Sequence, residues 1–283
     1  MADVRCTGVD AALGERLFEV RHNGVECGMF AIADVKKGEE VLREKPFLDR
    51  QVNVSAATPE DEVSQRLRDE FCQIAAKHKL RPETNQLEWP REVRAAMDRW
   101  HNYKETTVFE SLTTKQKLLY ASLHDAFQGC ISNDVRVIIT GLHSEAGKRL
   151  NGTTGTALKF HSAQQRWAVQ MSGMKEAKLM KLENLKTVSG IRRTNGFFDK
   201  TADRSQMFET LSRINHACIP NVKFESVDEA AEFAVIAVSD IQKGEEIFLN
   251  YGIRGSMAER RQWLNVRYNF ECECNACREG WIV

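Results

Sequence analysis

What the chain lacks sets the first limits. It has no net charge: 40 Lys and Arg are balanced by 40 Asp and Glu. A protein that lives on nucleic acid needs a basic surplus to neutralise phosphates, so direct nucleic-acid binding is not expected, a local patch apart. It has no apolar run near the ~20 residues that cross a bilayer, so no membrane segment is expected. Its opening, Met1-Ala2-Asp3-Val4-Arg5, lacks the basic-then-apolar order of a secretory signal. Nucleus or cytoplasm is the expected location, where thiols stay reduced and the sequon Asn151-Gly152-Thr153 carries no meaning. No internal repeat and no long low-complexity tract stands out.

What is present is ordinary for a soluble globular protein: 283 residues, 42% hydrophobic and 28% charged, enough for one large domain or two small ones. Strand signals occupy residues 16–48: Arg16 to Val20, a turn at His22-Asn23-Gly24, Met29 to Ala33, a polar turn at Lys36-Lys37-Gly38, then Glu40 to Leu48. From residue 51 to about 200 helical spacing dominates. Leu67, Phe71, Ile74 and Ala75 share it, as do Leu118, Leu119, Leu123 and Phe127, and then Trp167, Met171, Met174 and Ala177. Val135 to Thr140 fits a buried strand or a helix edge, and Gly147 to Gly155 reads as a surface loop. Strand signals return at Glu232 to Val238 and Glu245 to Asn250. Ser256-Met257-Ala258-Glu259 is a capping-box pattern that predicts a helix through Val266. A β layer interrupted by helices predicts an α+β domain whose two β parts pair across the insertion.

The cysteines are uneven. Cys6, Cys27, Cys72 and Cys130 stand apart, whereas Cys272, Cys274 and Cys277 crowd together near the end, with Cys218 upstream. In a reducing compartment such a cluster reads as metal ligands before disulfides, and four thiolates are what a closed structural zinc site takes. The segment Arg213-Ile214-Asn215-His216-Ala217-Cys218-Ile219-Pro220-Asn221 suits a loop that binds through its backbone and is locked by side-chain hydrogen bonds. Taken alone, it is equally a turn with a buried, satisfied histidine.

The combination goes further. Asn215-His216-Ala217-Cys218-Ile219-Pro220-Asn221 resembles the N-H-S-C-x-P-N signature of SET-domain lysine methyltransferases, with Ala217 in the Ser position. Gly244-Glu245-Glu246-Ile247 through Tyr251-Gly252 is similar to the G-E-E…Y-G segment of that family. Gly28-Met29-Phe30-Ala31 with Lys37-Gly38-Glu39 is similar to its first motif, though Glu26-Cys27 stands where a further glycine is usual. Glu259-Arg260-Arg261, Tyr268-x-Phe270 and Cys272-x-Cys274-x2-Cys277 resemble the tail of SMYD-type and fungal SET proteins, and Thr194-Asn195-Gly196-Phe197 their segment just before the core. No MYND zinc finger follows residue 50.

The resemblance implies a β-rich SET fold of the β-clip, pseudoknot-like kind. Residues 1–50 and 195–253 would build it, a helical insertion over 51–194 would split it, and 254–283 would be a zinc-binding post-SET tail. It implies S-adenosylmethionine as cofactor and transfer of its methyl to a protein lysine, histone or not, by a chain expected to be a monomer. Tyr251 would be the catalytic tyrosine and also touch the cofactor. Cys27, Gly28, Met29, Asn195, Asn215, His216 and Phe270 would bind the cofactor. Phe197, Tyr268 and Phe270 would line the lysine channel, and Cys218, Cys272, Cys274 and Cys277 would hold one structural zinc. Read one at a time, Tyr251 is also a strand-end tyrosine, the three channel aromatics also core packing, and Cys27 also a plain buried thiol. Two other readings stay open: a SET-like binding or scaffold protein without activity, and a SET-fold enzyme acting on another amine.

Overall fold

Residues 17–22, 27–51, 61–80, 89–199, 204–227 and 232–283 are described in this computed structural model. Cys6 and the turn expected at Asn23-Gly24 lie outside them. The chain divides into two compact units, one of residues 1–50 with 195–283 and one of residues 51–194. The first unit opens with β1 (Phe18–His22), β2 (Cys27–Ala31), β3 (Glu40–Glu44) and β4 (Leu48–Gln51).

The second unit begins with α1 (Glu62–Lys77), α2 (Arg91–Ser111) and α3 (Thr114–Ser122). Asp61 caps α1 by accepting from the Ser64 N–H at 2.8 Å, and Thr113 with Gln116 closes a capping box on α3. The rest of the unit is mostly sheet: β5 (Val135–Ile139), a short α4 (Glu145–Lys148), β6 (Thr154–His161), β7 (Arg166–Met171), β8 (Lys178–Met180) and β9 (Leu185–Thr187), then α5 (Val188–Asn195). The five strands pair antiparallel in the order β8-β7-β6-β5-β9.

This corrects the expected helical insertion, which is helical only in its first half. Trp167 and Met171 fit a helical period, but they also alternate with Val169 at a period of two. Burial of Trp167, Val169 and Met171 on one face, against Val137, Ile139, Ala157, Met180 and Leu185, decides for the strand. Val135 to Thr140 is likewise mostly strand, and the loop expected over Gly147 to Gly155 contains the end of α4 and the start of β6. On α3 the buried residues are Tyr120 and Ala121, while Leu118 is 52% exposed. The Tyr120 hydroxyl donates to the Val188 carbonyl at 2.9 Å, which is how a buried phenol is satisfied.

The first unit resumes with β10 (Phe197–Asp199), β11 (Arg204–Met207), β12 (Asn215–His216), β13 (Val222–Ser226), β14 (Phe233–Ala237) and β15 (Glu246–Leu249), and closes with α6 (Met257–Tyr268) and α7 (Asn275–Arg278). Its strands form three small sheets, β1-β2-β15-β12, β10-β11-β4 and β13-β14-β3. Met29, Ala31, Val35, Phe208, Leu211, Val235, Ile247 and Leu249 lie at the centre of the shared core. Phe233-Ala234-Val235-Ile236-Ala237 is apolar throughout because most of its side chains are buried on both faces.

The structure also reveals a short internal repeat. Asp34-Val35-Lys36-Lys37-Gly38-Glu39-Glu40 and Asp240-Ile241-Gln242-Lys243-Gly244-Glu245-Glu246 form two like turns that bond each other reciprocally. The Val35 N–H donates to the Ile241 carbonyl at 2.8 Å and the Ile241 N–H to the Val35 carbonyl at 2.9 Å. Asp34 accepts from the Lys243 N–H and Asp240 from the Lys37 N–H, each at 2.9 Å. Glu39 and Glu245 accept from the N–H groups three residues before them. Gly38 and Gly244 both sit at φ +91°, where a side chain is strained. The strand after each turn pairs with the strand before the other: β3 with β14, and β15 with β2. This exchange brings Gly28, near the start of the chain, beside the segment from 215 to 251.

Candidate functional site

Asn215 and His216 form β12, which runs parallel to β15 with Asn215 opposite Phe248 and His216 opposite Leu249. Two buttresses hold it. On one side the Glu44 carboxylate accepts the backbone N–H groups of Glu209, Thr210 and Leu211 at 2.9, 3.0 and 2.8 Å, fixing the turn that feeds β12. On the other, Asn221 mimics a strand: its amide donates to the Glu246 carbonyl at 2.8 Å and accepts from the Phe248 N–H at 2.7 Å. Asn250 does the same for the next turn, donating to the Cys218 and Ile253 carbonyls at 2.9 and 3.1 Å and accepting from the Ile253 N–H at 2.8 Å. Asparagines are used here as backbone locks.

Across β2, β15 and β12 three side-chain positions converge. The Asn215 Nδ2 donates to Glu246 Oε1 at 2.8 Å. A Cβ on Gly28 would lie 2.5 Å from that same oxygen, so a side chain there would push the Glu246 carboxylate from its present place. Met29 is fully buried in the core, and the Cys27 side chain is half-buried. Asn195 ends α5 and is 5% exposed; its carbonyl accepts from the Ser212 hydroxyl at 3.0 Å.

His216 is buried, and its ring connects two parts of the site. Nδ1 accepts from the Tyr251 N–H at 3.1 Å. A neutral ring then carries its proton on Nε2, and Nε2 lies 3.5 Å from Cys218 Sγ. Burial, with Arg260 nearby, holds its pKa down to about 4, so the ring is neutral at physiological pH. The Tyr251 hydroxyl donates to the Ile214 carbonyl at 2.8 Å. Around Tyr251 stands an aromatic group: its ring centroid is 4.7 Å from Tyr268 and 5.1 Å from His216. Trp263 is 5.6 Å and Phe270 6.5 Å from Tyr268. Burial pushes the Tyr268 phenol above its ordinary value. Phe197 belongs to a different aromatic group, with Phe208 at 5.4 Å and Phe224 at 5.1 Å.

The four cysteines converge. The sulfurs of Cys218, Cys272, Cys274 and Cys277 all lie within 4.8 Å of one another. Cys218 Sγ is 4.0 Å from Cys272 and 3.5 Å from Cys277, near the separation that Zn–S bonds of about 2.3 Å produce around a tetrahedral centre. Burial and the neighbouring thiols push Cys218 up to about 11, so four thiolates at this spacing call for a cation among them. The donor set therefore fits one structural zinc ion. Arg260, fully buried, clamps the cluster. Its guanidinium donates to the carbonyls of Gly255 and Trp281 at 2.5 and 2.8 Å and of Ala276 at 3.3 Å. It also donates to Cys218 Sγ at 3.1 Å and Cys277 Sγ at 3.6 Å.

The SET domain profile matches residues 26–252. The chain belongs to the SET-domain family. A histone-lysine N-methyltransferase SET5 of Yarrowia lipolytica is 34% identical over 84 residues, 29% of this chain and 19% of that protein. The corresponding SET5 of Schizosaccharomyces pombe is 40% identical over 72 residues, 25% of this chain and 23% of that protein. Human protein-lysine N-methyltransferase SMYD4 is 37% identical over 75 residues, 25% of this chain and 9% of that protein. The matched stretch thus spans less than a quarter of each relative. A crystal structure of the SET domain of LSMT bound to lysine and AdoHcy overlaps 92% of this chain and 54% of that one, at a TM-score of 0.39 and 9% identity.

Within this SET chain, Tyr251, Tyr268 and Phe270 pack with the four cysteines and His216 lies beside Cys218, Gly28 and Asn215 meet at Glu246, and Phe197 and Tyr251 both pack against the core of the first unit. Two residues of the site escaped sequence reasoning. Glu246 and Arg260 both stand inside quoted motifs, but a surface charge is the default reading of Glu or Arg. Only their partners reveal them.

Proposed function

We propose that this SET-domain chain is an S-adenosylmethionine-dependent protein-lysine N-methyltransferase. The observation that carries the reading is the placement of Gly28 on β2 and of Asn215 and His216 on β12, the two strands that flank β15, with the Tyr251 ring beside His216. The relatives named as histone- and protein-lysine methyltransferases support it. Bound S-adenosylmethionine would supply an electrophilic methyl group for in-line displacement. Gly28, Cys27, Met29 and Asn215 would hold its amino-acid end, and Asn195, His216 and Phe270 the remainder.

The chain's own work is to bind, align and dry the reactants. The aromatic group of Tyr251, Tyr268 and Phe270 disfavours an ammonium by desolvation, so it favours the neutral lysine amine that can attack. Because the Tyr251 proton is engaged by the Ile214 carbonyl, the hydroxyl oxygen presents its lone pairs. It can accept from the amine or from the polarised methyl C–H groups. Alignment of the two reactants can supply up to roughly 7–11 kcal/mol of barrier lowering. Zinc on the four cysteines would fix the tail that carries Tyr268 and Phe270. The proposed substrate is a protein lysine, and the proposed site of action is the nucleus, from the histone relatives.

Calorimetry with S-adenosylmethionine on the zinc-loaded protein and on Asn215→Ala tests this, followed by transfer of labelled methyl to candidate proteins. Micromolar binding lost in the variant, with label appearing on lysine, is expected. Absence of binding by folded, zinc-loaded wild type would leave a SET-shaped interaction module instead.

A further inference from the structure

The two like turns differ at one end, and the difference points to a role for Glu246. In the first turn the equivalent residue, Glu40, is bonded by Arg43 on its own strand, at 3.0 and 2.6 Å. That is a local ion pair on β3. In the second turn Glu246 sends its carboxylate across the sheet instead, to the Asn215 amide on β12 at 2.8 Å and against Gly28 on β2. Chains of like backbone geometry thus place one glutamate beside an arginine and the other beside the two residues that the family resemblance assigns to the cofactor.

The bond fixes more than a distance. A side-chain amide has two chemically opposite ends, and a carboxylate can only accept. Glu246 therefore determines that Asn215 turns Nδ2 toward it and Oδ1 away. An outward Oδ1, backed by a carboxylate, is an acceptor for a cationic donor, and the carboxylate adds negative charge at the same place. Gly28 leaves the room in which this carboxylate lies. The one cationic N–H donor of the cofactor is the α-ammonium of the methionine portion; the sulfonium is cationic but bears no N–H or O–H.

We propose that Glu246 is a positioning residue: it orients the Asn215 amide and so confers recognition of the α-amino-acid end of the cofactor. The inference rests on the methyltransferase reading above and names the part of the ligand that this corner recognises. Glu246 acts through Asn215, not on the reacting methyl.

The test compares two ligands that differ only at that end. S-adenosylhomocysteine carries the amino-acid group; methylthioadenosine keeps adenine, ribose and thioether and lacks it. Binding of both is measured by calorimetry on zinc-loaded wild type, Glu246→Ala, Asn215→Ala and the double variant, each checked for cooperative thermal unfolding. Glu246→Ala is expected to weaken S-adenosylhomocysteine about tenfold and to leave methylthioadenosine within about twofold. The double variant is expected to bind no more weakly than Asn215→Ala alone, because residues acting as a unit are not additive. Should Glu246→Ala fail to fold, Glu246→Met carries the same comparison, since it keeps most of the volume and removes both the charge and the oxygen acceptor.

Equal losses for both ligands, additive losses in the double variant, or an unchanged S-adenosylhomocysteine affinity would each overturn the inference while leaving the cofactor reading standing. Wild type that binds neither ligand would overturn the cofactor reading and the inference with it.

Discussion

Tyr251 shows how one residue can be legible as a type and illegible as a geometry. Its place in the G-E-E…Y-G segment marks it from sequence, but its hydroxyl bond to the Ile214 carbonyl is a product of the fold. Tyr251→Phe deletes that hydroxyl and little volume. Methyl transfer is expected to fall at least tenfold in kcat, with S-adenosylhomocysteine affinity within about twofold, as for an interaction made only in the transition state. Arg260 is the opposite case: as a sequence it is one of two adjacent arginines on a helix, and as a structure it is fully buried. Arg260→Met strips three carbonyls and two sulfurs of their donor. A loss of about 3 kcal/mol in stability is expected, together with faster zinc release to a chelator, read by a metal indicator dye. Unchanged release would remove Arg260 from any part in holding the metal.

At the scale of the element, local rules worked where local bonds decide. The capping box at Ser256 forms as the pattern predicts: the Ser256 N–H donates to Glu259 at 2.8 Å and the Ser256 hydroxyl accepts from the Glu259 N–H at 3.4 Å. Ser256→Ala is expected to cost about 1 kcal/mol, read by denaturant unfolding. The rules failed on β7, where the spacing of Trp167 and Met171 served both periods and the neighbouring strands chose. On α2, burial holds His101 below its ordinary 6.5, with Lys104 and Arg193 in the same direction and Asp98 and Glu105 opposing. A depressed histidine stabilises the fold while neutral, so its contribution is present above pH 6.5 and declines as pH falls toward the lower folded value. The denaturant midpoint should drop between pH 7 and lower values, and less steeply in His101→Gln. Parallel curves for the two proteins would rule His101 out as the cause.

For the molecule as a whole, the reciprocal turns at 34–40 and 240–246 do what no segment can do by itself. They pair strands more than 200 residues apart in sequence: Val35 with Ile241, and β2 with β15. Metal removal tests the tail at the same scale. Chelation is expected to make Cys272, Cys274 and Cys277 reactive toward a thiol reagent and residues 254–283 sensitive to protease, while the β1-β2-β15-β12 sheet keeps its hydrogen-exchange protection. Thiols that stay unreactive after chelation would show that packing alone, with Leu264 and Ala276 at its centre, holds the tail.

The sequence by itself determined the family and the gathering of cysteines near residue 275, because each is a short run in which residue type and spacing carry the chemistry; the segment at 213–221, expected as a loop, contains the two-residue strand β12 because β15 supplies the backbone partner. The sequence also contained both copies of the seven-residue turn, but a turn states nothing about its partner until the chain closes. Only the tertiary structure decided that half of the insertion is sheet, since periodicity is ambiguous where neighbouring strands supply the burial. It alone turned Glu246 inward to Asn215 and Gly28 and buried Arg260 against the thiols. Charged side chains default to solvent, and only a partner delivered from far along the chain can hold them elsewhere.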